Sequence, residues 1–191
     1  MPLVAIQSVR FPNAFLRMDG SDVTQSEGAG SGTVNCQFYD QGSTPILNPG
    51  NLEVFELVPL GELSTGQGYA IRSFSNPNAF LRIYGSDVTQ FEGAGSGTVN
   101  CQYYSPGSTP QNNSSDYEHF IEGLAVLATS SHSDYYSIMS GLFPGVFLRI
   151  DGSNVTQFEG AGSGTVNCQY YPPGSWPSST DDFEVFNIIS L

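Results

Sequence analysis

One block occurs three times in this chain, and nothing else in the sequence limits the fold as strongly. Phe15-Leu16-Arg17, Phe80-Leu81-Arg82 and Phe147-Leu148-Arg149 each open a copy. Each copy continues through Gly-Ser-(Asp/Asn)-Val-Thr-Gln to Glu-Gly-Ala-Gly-Ser-Gly-Thr-Val-Asn-Cys-Gln. Of the 18 positions from Gly20 to Gln37, 16 are identical in all copies. The exceptions are Asp22/Asp87/Asn154 and Ser26/Phe91/Phe158. A unit of this size cannot bury its own apolar face, so the copies must pack on one another.

Each copy reads as four short strands. Opening strands are Val4–Ser8, Tyr69–Ser73 and Tyr136–Ser140, and the second strand is Phe-Leu-Arg-(Met/Ile). The third carries Thr-Val-Asn-Cys-Gln-(Phe/Tyr)-Tyr with period-2 alternation, so Val34, Cys36 and Phe38 share one face and Asn35, Gln37 and Tyr39 the other. Closing strands are expected at Leu52–Phe55, Tyr117–Phe120 and Phe183–Phe186. Asp19-Gly20 and Asp151-Gly152 have the composition of hairpin turns, with Tyr84-Gly85 in their place in copy two. No amphipathic helix pattern of useful length occurs. The stretches before the closing strands, such as Gly107 to Ser115 and Pro172 to Thr180, differ among copies as surface loops do.

Composition removes several classes of function. The chain has 191 residues, a formal charge of −13 and no lysine; its five cations are Arg10, Arg17, Arg72, Arg82 and Arg149. Such a chain repels phosphate backbones and anionic lipid, which argues against nucleic acid as a partner. No apolar run is long enough for membrane insertion. Met1 to Gln7 reads as a first strand, not a signal peptide, so the expected location is the cytoplasm or export without a classical signal. Asn113-Ser114-Ser115 and Asn154-Val155-Thr156 match glycosylation acceptors, a common chance pattern.

Three four-stranded units, each with a central hairpin, resemble a β-trefoil. The phrase Phe-Leu-Arg-x-Asp-Gly, preceded by a strand and followed by Val-Thr, is similar to the second hairpin in fascin-like, arabinose-binding and ricin-B-like modules. The ricin-type Gln-x-Trp signature is absent; Gln37-Phe38-Tyr39, Gln102-Tyr103-Tyr104 and Gln169-Tyr170-Tyr171 offer Gln-x-Tyr in the third strand instead. The resemblance implies an all-β fold with pseudo-threefold symmetry: one domain over 1–191, with repeats at about 1–62, 63–130 and 131–191. The expected barrel residues are Ile6, Leu16, Val34 and Phe55, with Ile71, Leu81, Val99, Phe120, Ile138, Leu148, Val166 and Phe186.

The blocks have stayed alike while their flanks have drifted. Folding accounts for the glycines and valines, but less readily for polar Thr24, Gln25, Glu27, Ser31, Asn35 and Gln37. Repeated amides, hydroxyls and tyrosines suit a sugar, whose hydroxyls need fixed donors and acceptors and whose ring packs on an aromatic face. The sequence therefore offers a multivalent lectin for glycans or glycoproteins. Its expected contacts are Asp19 and Asp151; Asp22, Asp87 and Asn154; Asn35, Asn100 and Asn167; Gln37, Gln102 and Gln169; and Tyr39, Tyr104 and Tyr171. Tyr84 replaces the turn aspartate in copy two, which sets that copy apart. A homodimer is compatible with the sequence.

Other constellations point less far. Arg17, Arg82 and Arg149 fit internal pairing with the turn acids, or a clamp for a ligand carboxylate. Gly28 to Gly32 shares only glycine content with phosphate loops, and Asp19, Asp22 and Glu27 lack EF-hand spacing for calcium. Cys36, Cys101 and Cys168 are expected as buried free thiols, with a shared thiolate metal site as the alternative. His119 and His132 have no matching nucleophile motif, so neither an enzyme nor a cofactor is expected. The competing readings are a trefoil-type protease inhibitor acting through Gly42 to Gly50 or Gly107 to Asp116, and a fascin-like cytoskeletal binder.

Overall fold

In a computed structural model the chain is all-β. Residues 3–26, 28–63, 66–111, 117–118, 120–124 and 135–191 are described, and no helix occurs among them. The strands are β1 (Leu3–Ser8), β2 (Ala14–Asp19), β3 (Thr33–Phe38), β4 (Phe55–Leu63), β5 (Gly66–Ser73), β6 (Ala79–Tyr84), β7 (Gly97–Tyr103), β8 (Phe120–Leu124), β9 (Tyr135–Ser140), β10 (Val146–Asp151), β11 (Thr165–Tyr170) and β12 (Phe186–Ser190). All twelve belong to one connected antiparallel sheet.

Six of them close a ring. β1 pairs β4, β4 pairs β5, β5 pairs β8, β8 pairs β9, β9 pairs β12, and β12 returns to β1. Closure leaves these strands no unpaired edge to template aggregation. The other six form the hairpins β2–β3, β6–β7 and β10–β11, each joined to the opening strand of its own copy. The hairpins also touch one another in a cycle: Gly32 bridges Cys101, Gly97 bridges Cys168, and Gly164 bridges Cys36.

All twelve residues expected to line the barrel lie in the main buried cluster. Burial of Val23, Val88 and Val155 from the loops adds to it. The period-2 pattern places these side chains inward, and the hairpins close over them.

Two local expectations are corrected. Asp19-Gly20 and Asp151-Gly152 are not tight hairpin turns: Asp19 pairs with Thr33 and Asp151 with Thr165, with the intervening chain forming a long loop. The glycines serve close approach instead. A Cβ on Gly20 would fall 2.5 Å from the Cβ of Ala79, and one on Gly152 2.6 Å from that of Ala14. The closing strands also start later than expected, at Phe55, Phe120 and Phe186. The residues before them cannot alternate, because Glu53 and Val54 are both buried, as are Glu184 and Val185. The Gly107 to Asp116 loop and the acceptor at Asn113 each fall partly or wholly outside the described residues, as do Glu27, His119 and His132.

Candidate functional site

The polar part of the repeated block is used to fasten one copy to the next. Asn35 Nδ2 donates to the Ala161 carbonyl at 2.7 Å, Asn100 Nδ2 to that of Ala29 at 2.8 Å, and Asn167 Nδ2 to that of Ala94 at 2.9 Å. Each Oδ1 accepts from the arginine of its own copy, at 3.4–3.5 Å. Gln37 is held at both ends by Glu159: Nε2 donates to its carbonyl, and Oε1 accepts from its N–H at 3.0 Å. Gln169 Oε1 accepts from the Gly95 N–H at 3.0 Å, and Gln102 Nε2 donates to Ser26 Oγ at 3.5 Å.

Of the expected ligand contacts, Asn35, Asn100, Asn167, Gln37, Gln102 and Gln169 have amides that face neighbouring loops, and the three glutamines are buried. The loops reach them because Gly30, Gly95 and Gly162 have φ of +68°, +70° and +70°, and a Cβ on each would meet the opposing asparagine at 2.5 Å. The identity of the three blocks thus has a folding cause at these positions.

The arginines are buried and turned inward. Arg17 pairs with Asp19 at 3.1 Å and lies 3.7 Å from Glu53; Arg149 has Asp151 at 3.2 Å and Glu184 at 3.8 Å. In copy two, where Tyr84 replaces the aspartate, Arg82 keeps Glu118 at 3.8 Å and lies over the rings of Tyr117 and Tyr84. Burial opposes ionisation of Asp19 and Asp151. Hydrogen bonds from Ser21 and Ser153, with the adjacent arginines, outweigh it and hold both below the usual carboxylate range. Asp22, Asp87 and Asn154 remain exposed on their loops.

The tyrosines stand over buried acids that the sequence reasoning passed over. Tyr39 OH donates to Glu53 at 3.1 Å, Tyr104 OH to Glu118 at 2.9 Å, and Tyr171 OH to Glu184 at 2.9 Å. Burial pushes Glu53 up, and Glu184 up to about 7. Burial, with the charge of the acid below, pushes Tyr39 up to about 12 and raises Tyr171. The available signal was an acid recurring in all three closing segments beside apolar residues.

Sequence reasoning also left the variable position Ser26/Phe91/Phe158 without a role. Phe158 of copy three stands edge-on to Tyr39 of copy one, ring centres 5.8 Å apart; Phe91 of copy two stands edge-on to Tyr171 of copy three, at 5.3 Å. Both phenylalanines are largely exposed, at 63% and 56%. Phe158 lines two hollows. One, of about 620 Å³, is lined by Tyr39, Thr44, Ile46, Asn48, Asn51 and Glu53; the other, of about 450 Å³, by Phe38, Tyr39, Asp40 and Thr156. At the Tyr171 junction, Phe147 packs on Tyr171 at 5.4 Å and on the exposed Trp176 at 5.3 Å.

Cys36, Cys101 and Cys168 are buried and free, and burial pushes each thiol up to about 12. Among the described residues, no three His, Cys, Asp or Glu side chains are grouped to hold a metal ion. Among the described residues, no helix is long and apolar enough to cross a membrane.

No protein-family model matches the chain, and no curated protein sequence matches it significantly. Solved structures are similar in fold. A mosquitocidal holotoxin aligns with a TM-score of 0.54 at 11% identity, over 99% of this chain and 17% of its own. An arabinofuranosidase complexed with arabinofuranosyl-α-1,2-xylobiose aligns with 0.52 at 15%, over 99% and 31%. An α-L-arabinofuranosidase soaked with a cyclic sulfate inhibitor aligns with 0.50 at 18%, again over 99% and 31%. This chain spans less than a third of each, and the likeness is one of all-β architecture with a large antiparallel sheet.

Proposed function

We propose that the chain is a β-trefoil and binds carbohydrate at the junctions between its repeats. The closed six-strand ring and the three mutually contacting hairpins support the trefoil reading. One observation carries the binding reading. Every exposed large hydrophobic among the described residues belongs to the Tyr39 or Tyr171 junction: Ile46, its neighbour Leu47 and Phe158 at the first, Phe91 and Trp176 at the second. Exposed aromatic side chains are costly to leave in water and mark interaction sites.

The walls suit a sugar. Tyr39 and Phe158 offer apolar surface to a ring face, while Ser43, Thr44 and Asn48 add hydroxyl and amide groups. Asp22, Asp87 and Asn154 stay in the reading as exposed polar groups, whereas the inward asparagines and glutamines leave it. An arabinofuranosidase, about a third of which aligns with this chain, is known complexed with arabinofuranosyl-α-1,2-xylobiose, which agrees with a sugar as ligand. The test is a glycan array, with red-cell agglutination blocked by the free sugar. Selective binding of one glycan class supports the reading; no glycan bound by folded protein contradicts it.

One observation favours a second reading, inhibition of a protease by Gly42 to Gly50. Ile46 and Leu47 project from this loop, which Asn51 Nδ2 ties to the Ile46 carbonyl at 3.2 Å and Asn48 Oδ1 ties to the Gly50 N–H at 3.0 Å. Stoichiometric inhibition of a papain- or trypsin-like protease, lost in Leu47→Asp, would favour it over the sugar.

A further inference from the structure

The three junctions are built from the same parts, but one lacks its outer wall. Phe158 stands beside Tyr39, and Phe91 beside Tyr171. At the third junction Ser26 takes the equivalent place, and its hydroxyl accepts from Gln102, the residue two before Tyr104. The outer loops differ in the same sense. Trp176 in copy three aligns with Thr44 and Thr109, and Ile46 in copy one aligns with Gln111. No large exposed hydrophobic remains at the Tyr104 junction among the described residues. The buried floor, by contrast, is the same in all three, with Tyr104 on Glu118 as Tyr39 is on Glu53. The junctions therefore share their internal support and differ in what they present to solvent.

We infer that the chain binds two sugars, not three, and that the residue at position 26 decides it. This rests on the carbohydrate reading. A sugar ring at the Tyr39 or Tyr171 junction has two aromatic walls meeting at a corner, one from each of two adjacent copies. At the Tyr104 junction it has one, and loses the apolar contact that offsets dehydration of its hydroxyls. Two sites join two-armed glycans into linear chains, whereas three would build networks, so the difference affects how strongly the protein cross-links such glycans.

The test titrates the full chain calorimetrically with the methyl glycosides of arabinofuranose, galactose, mannose and N-acetylglucosamine in turn. The wild type is expected to bind two equivalents of the preferred glycoside, and Ser26→Phe three. Phe91→Ser and Phe158→Ser each remove one; both change exposed side chains, so they report even if Ser26→Phe fails to fold. A wild-type stoichiometry of three, or a folded Ser26→Phe that still binds two, overturns the inference and leaves the carbohydrate reading standing. Binding of none of the four glycosides, with no glycan bound on the array by folded wild type, overturns both.

Discussion

Gly164 lies so close to Cys36 that a Cβ on the glycine would fall 2.0 Å from the cysteine sulfur. The same holds for Gly32 over Cys101, at 2.0 Å, and Gly97 over Cys168, at 2.1 Å. Each pair joins two different copies, so the contact fixes how the hairpins meet. Gly164→Ala is expected to destabilise the fold by the upper part of the ~1–3 kcal/mol typical of overpacking. Pairing it with Cys36→Ala removes the struck atom and recovers part of the loss, because residues in contact couple. Urea midpoints of the two single variants and the double variant measure this. Additive losses would contradict it.

The Asn35 amide and the Ala161 carbonyl make a second fastening of the same kind. Asn35→Ala leaves that carbonyl without its donor and is expected to cost about 1–2 kcal/mol. Asn100→Ala and Asn167→Ala should cost the same, given the matching bonds to Ala29 and Ala94. Thermal melts check the stability, and calorimetry of the folded variants should return the wild-type sugar stoichiometry. A stability loss near zero with loss of binding would return these amides to the ligand surface.

These two relationships show what was legible in the sequence. Strand alternation identified the core from Ile6 to Phe186, because inward apolar positions repeat at period 2 in every copy. The invariance of Asn35 and Gln37 was visible too, but its cause was not. A conserved amide facing a ligand and one facing a neighbouring loop look alike until the chain is closed, and the loop partners lie 126 and 122 residues away. The signal for the proposed site lies instead at the position that varies, Ser26/Phe91/Phe158, where identity between copies is lost. The late start of β4 and β12 was hidden because Glu53 and Glu184 were read as part of the closing strands, while both are turned onto buried arginines ahead of them.

Glu184 gives the fold a pH dependence. Its carboxyl binds a proton more tightly in the folded chain, since burial pushes it up to about 7. Stability from this group is therefore fully present below the ordinary glutamate range and falls as pH rises through about 7. Asp19 and Asp151 act in the opposite sense at lower pH. Their values are held down, so their contribution is lost only as pH drops through the acidic carboxylate range. Melting temperatures between about pH 5 and about pH 8 should decline in the wild type and decline less in Glu184→Gln, which keeps an acceptor for Tyr171. Equal slopes would contradict the assignment.

Trp176 is exposed at the Tyr171 junction and is the only tryptophan in the chain. Its fluorescence should therefore report that junction alone. A bound sugar is expected to shift the emission in wild type and in Phe158→Ser, and to leave it unchanged in Phe91→Ser. A shift that persists in Phe91→Ser would show that sugar binds at this junction without the Phe91 ring and would contradict the assignment.

The proposed sugar binding depends on the exposed rings at two junctions, and Phe91→Ser/Phe158→Ser tests them together. Both residues project into solvent, so the double variant should melt close to wild type. Calorimetric titration with the glycan bound most strongly on the array should then show binding abolished. Unchanged affinity and stoichiometry in the folded double variant would contradict the account.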